Sequence, residues 1–245
     1  LKEGVDERFV ARWFGGTKGN LYDGGFCQDV DAQLERDVSG GAKDRTDLAA
    51  LAARGPAVTG VDPAAAMLAI ARDREGGGRV TWVHADGRSV RLGRRFDFIC
   101  MTGHAFQCLL TDEDQLALLR TIAAHLSSQG CFIFDSRNPA RREWEEWGEA
   151  NSRRLIDHPK HGKVESWNDY AYDEISGIVT YGTYYRLGSG ELLAAKSQIR
   201  LSPQESLARL IEVAGLTVDR WMGDWQGGDY HADAKEIIPL GRLGR

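Results

Sequence analysis

Four cysteines in 245 residues, none in a CxxC pair, leave this chain without the spacing of a zinc ribbon or a dithiol redox motif. Cys100 and Cys131 fall inside apolar runs of strand length, where a thiol acts as a small hydrophobe. With Cys27 and Cys108 they read as reduced thiols, which predicts a cytoplasmic protein. A long hydrophobic stretch is missing too: no run approaches the roughly 18 apolar residues that span a bilayer, and the amino terminus lacks the apolar core of a signal peptide. No membrane partner is expected. The sequence opens at Leu1 rather than Met, so its natural start is expected upstream. Positive charge is not in excess. With 31 Lys and Arg against 36 Asp and Glu, the net charge is −5 and the pI about 5.7, which argues against a general nucleic-acid surface and for a small-molecule partner. There is no internal repeat and no low-complexity tract.

What is present is core and order. Hydrophobic residues make up 42% of the chain, enough for a proper core, and 245 residues fit one sizeable α/β domain or two small ones; a single domain spanning residues 1–245 is expected. From residue 46 helical and strand patterns alternate. Residues 46–54 read as a helix stopped by Gly55-Pro56, 57–61 as a strand and 63–74 as a helix ended by a glycine run. Val80–His84 and Phe96–Met101 read as strands, the second nearly continuous in apolar residues, as a strand covered on both faces should be. Thr111-Asp-Glu-Asp114 opens a helix with a capping residue and an acidic first turn, and Cys131–Phe134 is the next strand. Strands separated by such helices imply parallel pairing with right-handed crossovers.

After residue 135 the pattern changes. Residues 163–201 carry three runs rich in Tyr, Thr, Val and Ile, broken by Ile175-Ser-Gly177 and Gly188-Ser-Gly190, which predicts an antiparallel insertion. Helical order resumes at Ser202-Pro203-Gln204-Glu205, a capping-box pattern, and two closing strands follow at Leu216–Trp221 and Lys235–Gly241.

The residue with the most specific placement is Asp62, at the end of Pro56–Val61. An acid at the carboxyl end of the second strand of a doubly wound sheet can accept both hydroxyls of a nucleoside ribose. Asp-Pro before an amphipathic run is also a helix cap, and one side chain can do both. Taken in order, VTGVDPAAAML, HADGRSV, RRFDFICMTGHAF, LSSQGCFIFDSRNP and a final helix and strand pair resemble the class I S-adenosylmethionine-dependent methyltransferases, over about residues 34 to 241. The resemblance implies an α/β, doubly wound, mostly parallel seven-stranded Rossmann-like sheet with an antiparallel insertion after strand five. It implies S-adenosylmethionine as cofactor, Asp62 on its ribose, Asp86 on adenine with Ala85 and Gly87 beside it, and Met101, Thr102 and Gly103 along the cofactor.

Members of that family carry a glycine-rich loop after the first strand, where missing side chains let the backbone approach the cofactor. Here only Gly40 and Gly41 match, although Gly41 lies 21 residues ahead of Asp62, close to the interval of about 20 expected for such sites. The strand before it, Leu34–Val38, has two apolar residues in five. This loop is expected to bind cofactor weakly, or to order only when ligand arrives. His104, next to Gly103 after the fourth strand, has the titration range of a general base, and a structural histidine is the alternative. Asp135, Arg137 and Asn138 follow strand five at the ligand edge of the sheet, and Trp225 sits in the irregular GDWQGGDYH segment; these are the substrate-side candidates. No metal site is expected. The predicted activity is methyl transfer to oxygen or nitrogen of a small molecule. Two other readings stay open, a methyltransferase-fold binding module without transfer chemistry and a nicotinamide-dependent oxidoreductase; the closing helix and strands weigh against the second.

Overall fold

In a computed structural model, residues 22–23, 35–36, 57–73, 76–158 and 161–244 are described. Two short strands, β1 (Tyr22–Asp23) and β2 (Glu35–Arg36), pair antiparallel with each other. The part of Leu34–Val38 that is described therefore runs in a two-stranded ribbon, not in a parallel sheet. Glu35, Arg36 and Asp37 are charged in succession, where a strand covered on both faces is nearly continuous in apolar residues. Gly40, Gly41 and the predicted 46–54 helix lie outside the described residues.

β3 (Thr59–Asp62) and β4 (Thr81–His84) pair in parallel, joined by helix α1 (Ala65–Asp73). β5 (Phe96–Met101) pairs in parallel with β6 (Leu126–Phe134) across helix α2 (Asp112–His125). The Thr111 hydroxyl caps α2 by accepting from Asp114 N at 3.1 Å, as the sequence predicts. The short strand β7 (Ser136–Arg137) follows β6. At the far end, helix α4 (Gln204–Val213) precedes β12 (Leu216–Met222), and β13 (Glu236–Leu243) enters antiparallel between β12 and β6. Among the described residues this sheet is mixed, in the order β12-β13-β6-β5 with β7 on β13, while β3-β4 forms a separate pair. The α/β class expected from the sequence is seen, but among the described residues the sheets are mixed and do not clearly make one seven-stranded, mostly parallel sheet: antiparallel β13 lies between β12 and β6, and the parallel pairs β3-β4 and β5-β6 are in separate sheets.

Both faces of the larger sheet are covered, and the side-chain period of 2 shows how. Phe132, Phe134 and Ile237 point into a cluster with Leu119 and Ile122 of α2 and Leu207, Leu210 and Ile211 of α4. The intervening Ile133 and Ile238 point the other way, onto Met222 and Trp225. In α4 the apolar positions recur at i, i+3 and i+4, one stripe facing the sheet. Its predicted capping box does not form. Ser202 is buried and its hydroxyl pairs with the Gln115 amide of α2 instead, so it ties two helices together rather than ending one.

The insertion is larger than predicted. After a single turn, α3 (Glu149–Ser152), four strands follow: β8 (Arg154–His158), β9 (Gly162–Asp173), β10 (Ile178–Arg186) and β11 (Leu192–Arg200). They form an antiparallel meander ordered β11-β10-β9-β8. The first strand escaped the sequence reading because RLIDH is mostly exposed and carries little apolar alternation. At the β9–β10 turn the Asp173 carboxylate accepts from Ile175 N and the Ser176 hydroxyl, and Gly177 has φ +70°, where a Cβ would meet Leu201 O at 2.9 Å. One face of the meander packs on Trp144 and Trp147, with Trp144 stacked on Tyr172 at 4.2 Å. Tyr170, Tyr172 and Tyr181 are packing residues there. Strand β11 lies beside the Ala105–Cys108 turn that follows β5, and Arg200 pairs with Asp112 of α2 at 2.8 Å.

Candidate functional site

Two clusters form at the carboxyl ends of the parallel strands. The first lies at the end of β3 and β4. Asp62 ends β3 and accepts from Ala64 N through Oδ1 at 2.6 Å, which is the capping arrangement. Its backbone oxygen accepts from Ala85 N at 3.2 Å, so Asp62 and the Ala85-Asp86-Gly87 turn are adjacent. Among the described residues only Oδ1 of the Asp62 carboxylate is engaged. Asp86 is less free. Hydrogen bonds from the Arg88 side chain and backbone hold its carboxyl down at about 2, and Arg88 reaches on to Asp114 at the start of α2. Gly87 is next to α2: a Cβ there would meet Leu118 Cδ1 at 3.0 Å.

The second cluster lies where β5, β6 and β13 converge. Met101 ends β5 and packs on the core, Thr102 and Gly103 are exposed, and the chain then turns sharply through two left-handed residues, Gly103 at φ +70° and His104 at φ +59°. Histidine tolerates this region better than most side chains, and such strain persists only when neighbours hold it. They do. His104 N donates to Asp135 Oδ1 at 2.9 Å, and His104 Nε2 lies 2.9 Å from Glu236 Oε1. An ionised carboxylate only accepts, so Nε2 carries the hydrogen and Nδ1 keeps the lone pair. Burial alone would lower the His104 pKa, but the bond to Glu236 and the nearby carboxylates outweigh it and raise it above 6.5.

Asp135 is buried at 2% exposure just after β6, and desolvation raises its carboxyl above the usual range, opposed by His104 and by the Trp225 indole N–H that it accepts. Arg137, on β7, donates to Gln107 Oε1 at 3.0 Å and Glu143 Oε2 at 3.1 Å and lies 5.4 Å from the Trp147 ring centroid. Its charge is thereby fixed between this cluster and the insertion's Trp147 side. Asn138 is also buried, but its amide holds Ala232 O and Ala234 O, each at 2.8 Å, while its oxygen takes Ala140 N. All three bonds go to backbone, so Asn138 fastens a loop. Trp225 is 2% exposed and sits in the core with Ile133 and Met222.

The sequence reading missed Glu236 and Gln107. Glu236 is separated from His104 by 132 residues. The signal was an acid heading the apolar run Ile237-Ile238, a carboxylate where a buried strand should begin. Gln107 is wholly buried between Arg137 and Ser136. Among the described residues no helix is long and apolar enough to cross a membrane.

Residues 44–130 match the sequence pattern of a family described as a methyltransferase domain, a match that takes in Asp62, Asp86 and His104 and starts beyond Gly40 and Gly41. The cypemycin N-terminal methyltransferase of a Streptomyces species is 26% identical over 193 residues, covering 77% of this chain and 75% of that protein. The CcbJ methyltransferase from Streptomyces caelestis has a similar fold, with TM-score 0.65 and 18% identity over 80% of this chain and 78% of that one. CalS10, an amino pentose methyltransferase from Micromonospora echinaspora solved with S-adenosylmethionine bound, has TM-score 0.56 and 19% identity over 78% and 76%.

Proposed function

We propose, for a chain that belongs to the class I S-adenosylmethionine-dependent methyltransferases, that the His104–Asp135–Glu236 cluster is the acceptor side of the site and the Asp62–Asp86 cluster the cofactor side. The chain is a methyltransferase with S-adenosylmethionine as cofactor. When bound, that cofactor supplies an electrophilic methyl group on a sulfonium, whose bond electrons return to sulfur as the acceptor's lone pair takes the methyl. The residues then have to hold cofactor and acceptor in line, exclude water and take a proton.

Asp62 suits the first task, with Oδ1 fixed by the cap and Oδ2 available to a ribose hydroxyl. Asp86 contacts adenine in this reading, its orientation set by Arg88, with Ala85 and Gly87 flanking the ring and Met101, Thr102 and Gly103 lying along the cofactor. Gly40 and Gly41 are proposed near its methionine end. His104 takes the acceptor proton on Nδ1, while Glu236 fixes the tautomer and stabilises the imidazolium that forms, and Asp135 pins the strained backbone. Arg137 and Trp225 border the acceptor. The insertion, whose β11 lies beside the turn after His104, acts as a lid within a single domain spanning residues 1–245. The acceptor is a small molecule, and the names of the relatives favour nitrogen over oxygen. A cytoplasmic location accords with the free thiols.

The observation that carries this reading is the His104–Glu236 pair, built from β5 and β13 at the carboxyl edge where α/β sheets bind ligands. Melting curves with S-adenosylhomocysteine test the cofactor half: at 100 times its dissociation constant a ligand stabilises by roughly 2.7 kcal/mol. Mass spectrometry of amine and alcohol mixtures incubated with methyl-labelled cofactor tests the other. No shift with the nucleoside, or no labelled product, would remove the corresponding half.

A further inference from the structure

One oxygen of Glu236 is accounted for and the other is not. Oε1 takes the His104 Nε2–H at 2.9 Å, while Oε2 is buried with no hydrogen-bond partner among the described residues. The residue is only 4% exposed, and its backbone N–H is bonded to Gly223 O. A buried anionic oxygen without a donor is costly, and where one persists a missing ligand is a standard reason.

The surroundings say what kind of ligand. From the turn after β5 comes His104, neutral when it acts as a base. From the end of β6 comes Asp135, buried and itself an acid. Arg137 on β7 brings a positive charge, but it is committed to Glu143, Gln107 and the Trp147 ring. Trp225 brings only an indole N–H, spent on Asp135. Three carboxylates, Asp135, Glu143 and Glu236, thus face one guanidinium and one histidine. An anion would be repelled there, and a neutral hydroxyl would supply a donor without the missing charge. A protonated amine supplies both.

Resting on the methyltransferase reading, we propose that Glu236 Oε2 is the counter-ion of an ammonium group on the acceptor, so that this enzyme methylates an amine that arrives protonated. One carboxylate then positions His104 with one oxygen and the acceptor with the other. The nitrogen gives up one proton before its lone pair can take the methyl group, and because Nδ1 lies on the ring edge away from Glu236, that proton passes to His104 once the nitrogen has moved off Oε2. An alcohol lacks the charge that the second oxygen selects.

The experiment uses the full chain, isotopically labelled, with cyclohexylammonium and cyclohexanol as matched probes, each titrated with and without S-adenosylhomocysteine. Signals of the His104 ring and the Trp225 indole N–H are followed by NMR. Cyclohexylammonium is expected to move both saturably and to bind at least tenfold more tightly than cyclohexanol. Glu236→Gln keeps an acceptor for His104 but puts an NH₂ where Oε2 was; it should weaken the ammonium at least tenfold, lower the His104 pKa and leave the melting shift from S-adenosylhomocysteine unchanged. Glu236→Asp keeps the charge, guards against loss of fold and should retain preference for the ammonium. Equal binding of the two probes, binding of neither, or unweakened ammonium binding by Glu236→Gln would overturn the proposal. If the nucleoside causes no melting shift while the ammonium preference survives, the methyltransferase reading falls and the cation site stands.

Discussion

The two clusters at the carboxyl ends of the strands are built in opposite ways. At β3 and β4 the contacts of the two carboxylates are short in sequence and open to water: Asp62 bonds two residues on, Asp86 two residues on to Arg88, and the Arg88 and Asp86 side chains are 41% and 39% exposed. At β5, β6 and β13 the contacts span 31 and 132 residues and are largely withdrawn from water, the His104 and Glu236 side chains being 13% and 6% exposed. Exposed, local contacts make a surface that a ligand can complete at small cost. Buried, long-range ones make a fixed environment that shifts proton affinities before any ligand arrives. Cofactor recognition suits the first and proton transfer the second.

The sharpest way to break this contrast is to attack the buried cluster. Trp225→Ala removes a core ring and the indole donor to Asp135 together, and is expected to cost about 3–5 kcal/mol in urea denaturation. A loss below about 1 kcal/mol would mean the cluster is not the rigid half. Asp62→Ala should weaken S-adenosylhomocysteine binding by about 1.5–3 kcal/mol by calorimetry, with about 1 kcal/mol of stability lost through the cap. Unchanged affinity would reduce Asp62 to a cap alone. A pH titration of the His104 ring by NMR sharpens the comparison further: its midpoint should lie above 6.5, because the bond to Glu236 and the surrounding acids outweigh burial. The stability this linkage contributes is then full below about pH 6.5 and is lost as pH rises through the folded value. A midpoint below 6.5 would contradict the geometry. Arg88→Ala is the smallest change, since an exposed ion pair screened by solvent leaves the denaturation midpoint where it was.

The same contrast explains what could be read from the sequence. Asp62 and the turn at Asp86 follow their strands directly, so strand ends and motif order were enough to find them. The strand at Cys131–Phe134 was legible because CFIF is apolar at every position, whereas Phe96–Met101, expected to be covered on both faces, has no fully buried residue against the described part of the chain. Glu236 was not, since its partner is 132 residues away and only the antiparallel entry of β13 beside β6 brings it to His104. Asn138 and Trp225 were found as polar or aromatic residues in a ligand-edge loop, but residue type does not tell a side chain that fastens a loop from one that faces a ligand. The mixed sheet was missed for a related reason. Apolar run length signals a strand but carries no direction, and the charged Leu34–Val38 stretch had no apolar pattern to place it.

The most direct test of the account is methyl transfer by His104→Asn, a substitution that tolerates the left-handed backbone at this position. With an amine acceptor found by the labelled-methyl screen, kcat should fall by about 10²–10⁴ while the dissociation constant of S-adenosylhomocysteine stays at its wild-type value. A variant that turns over at the wild-type rate would contradict the claim that the buried cluster moves the proton.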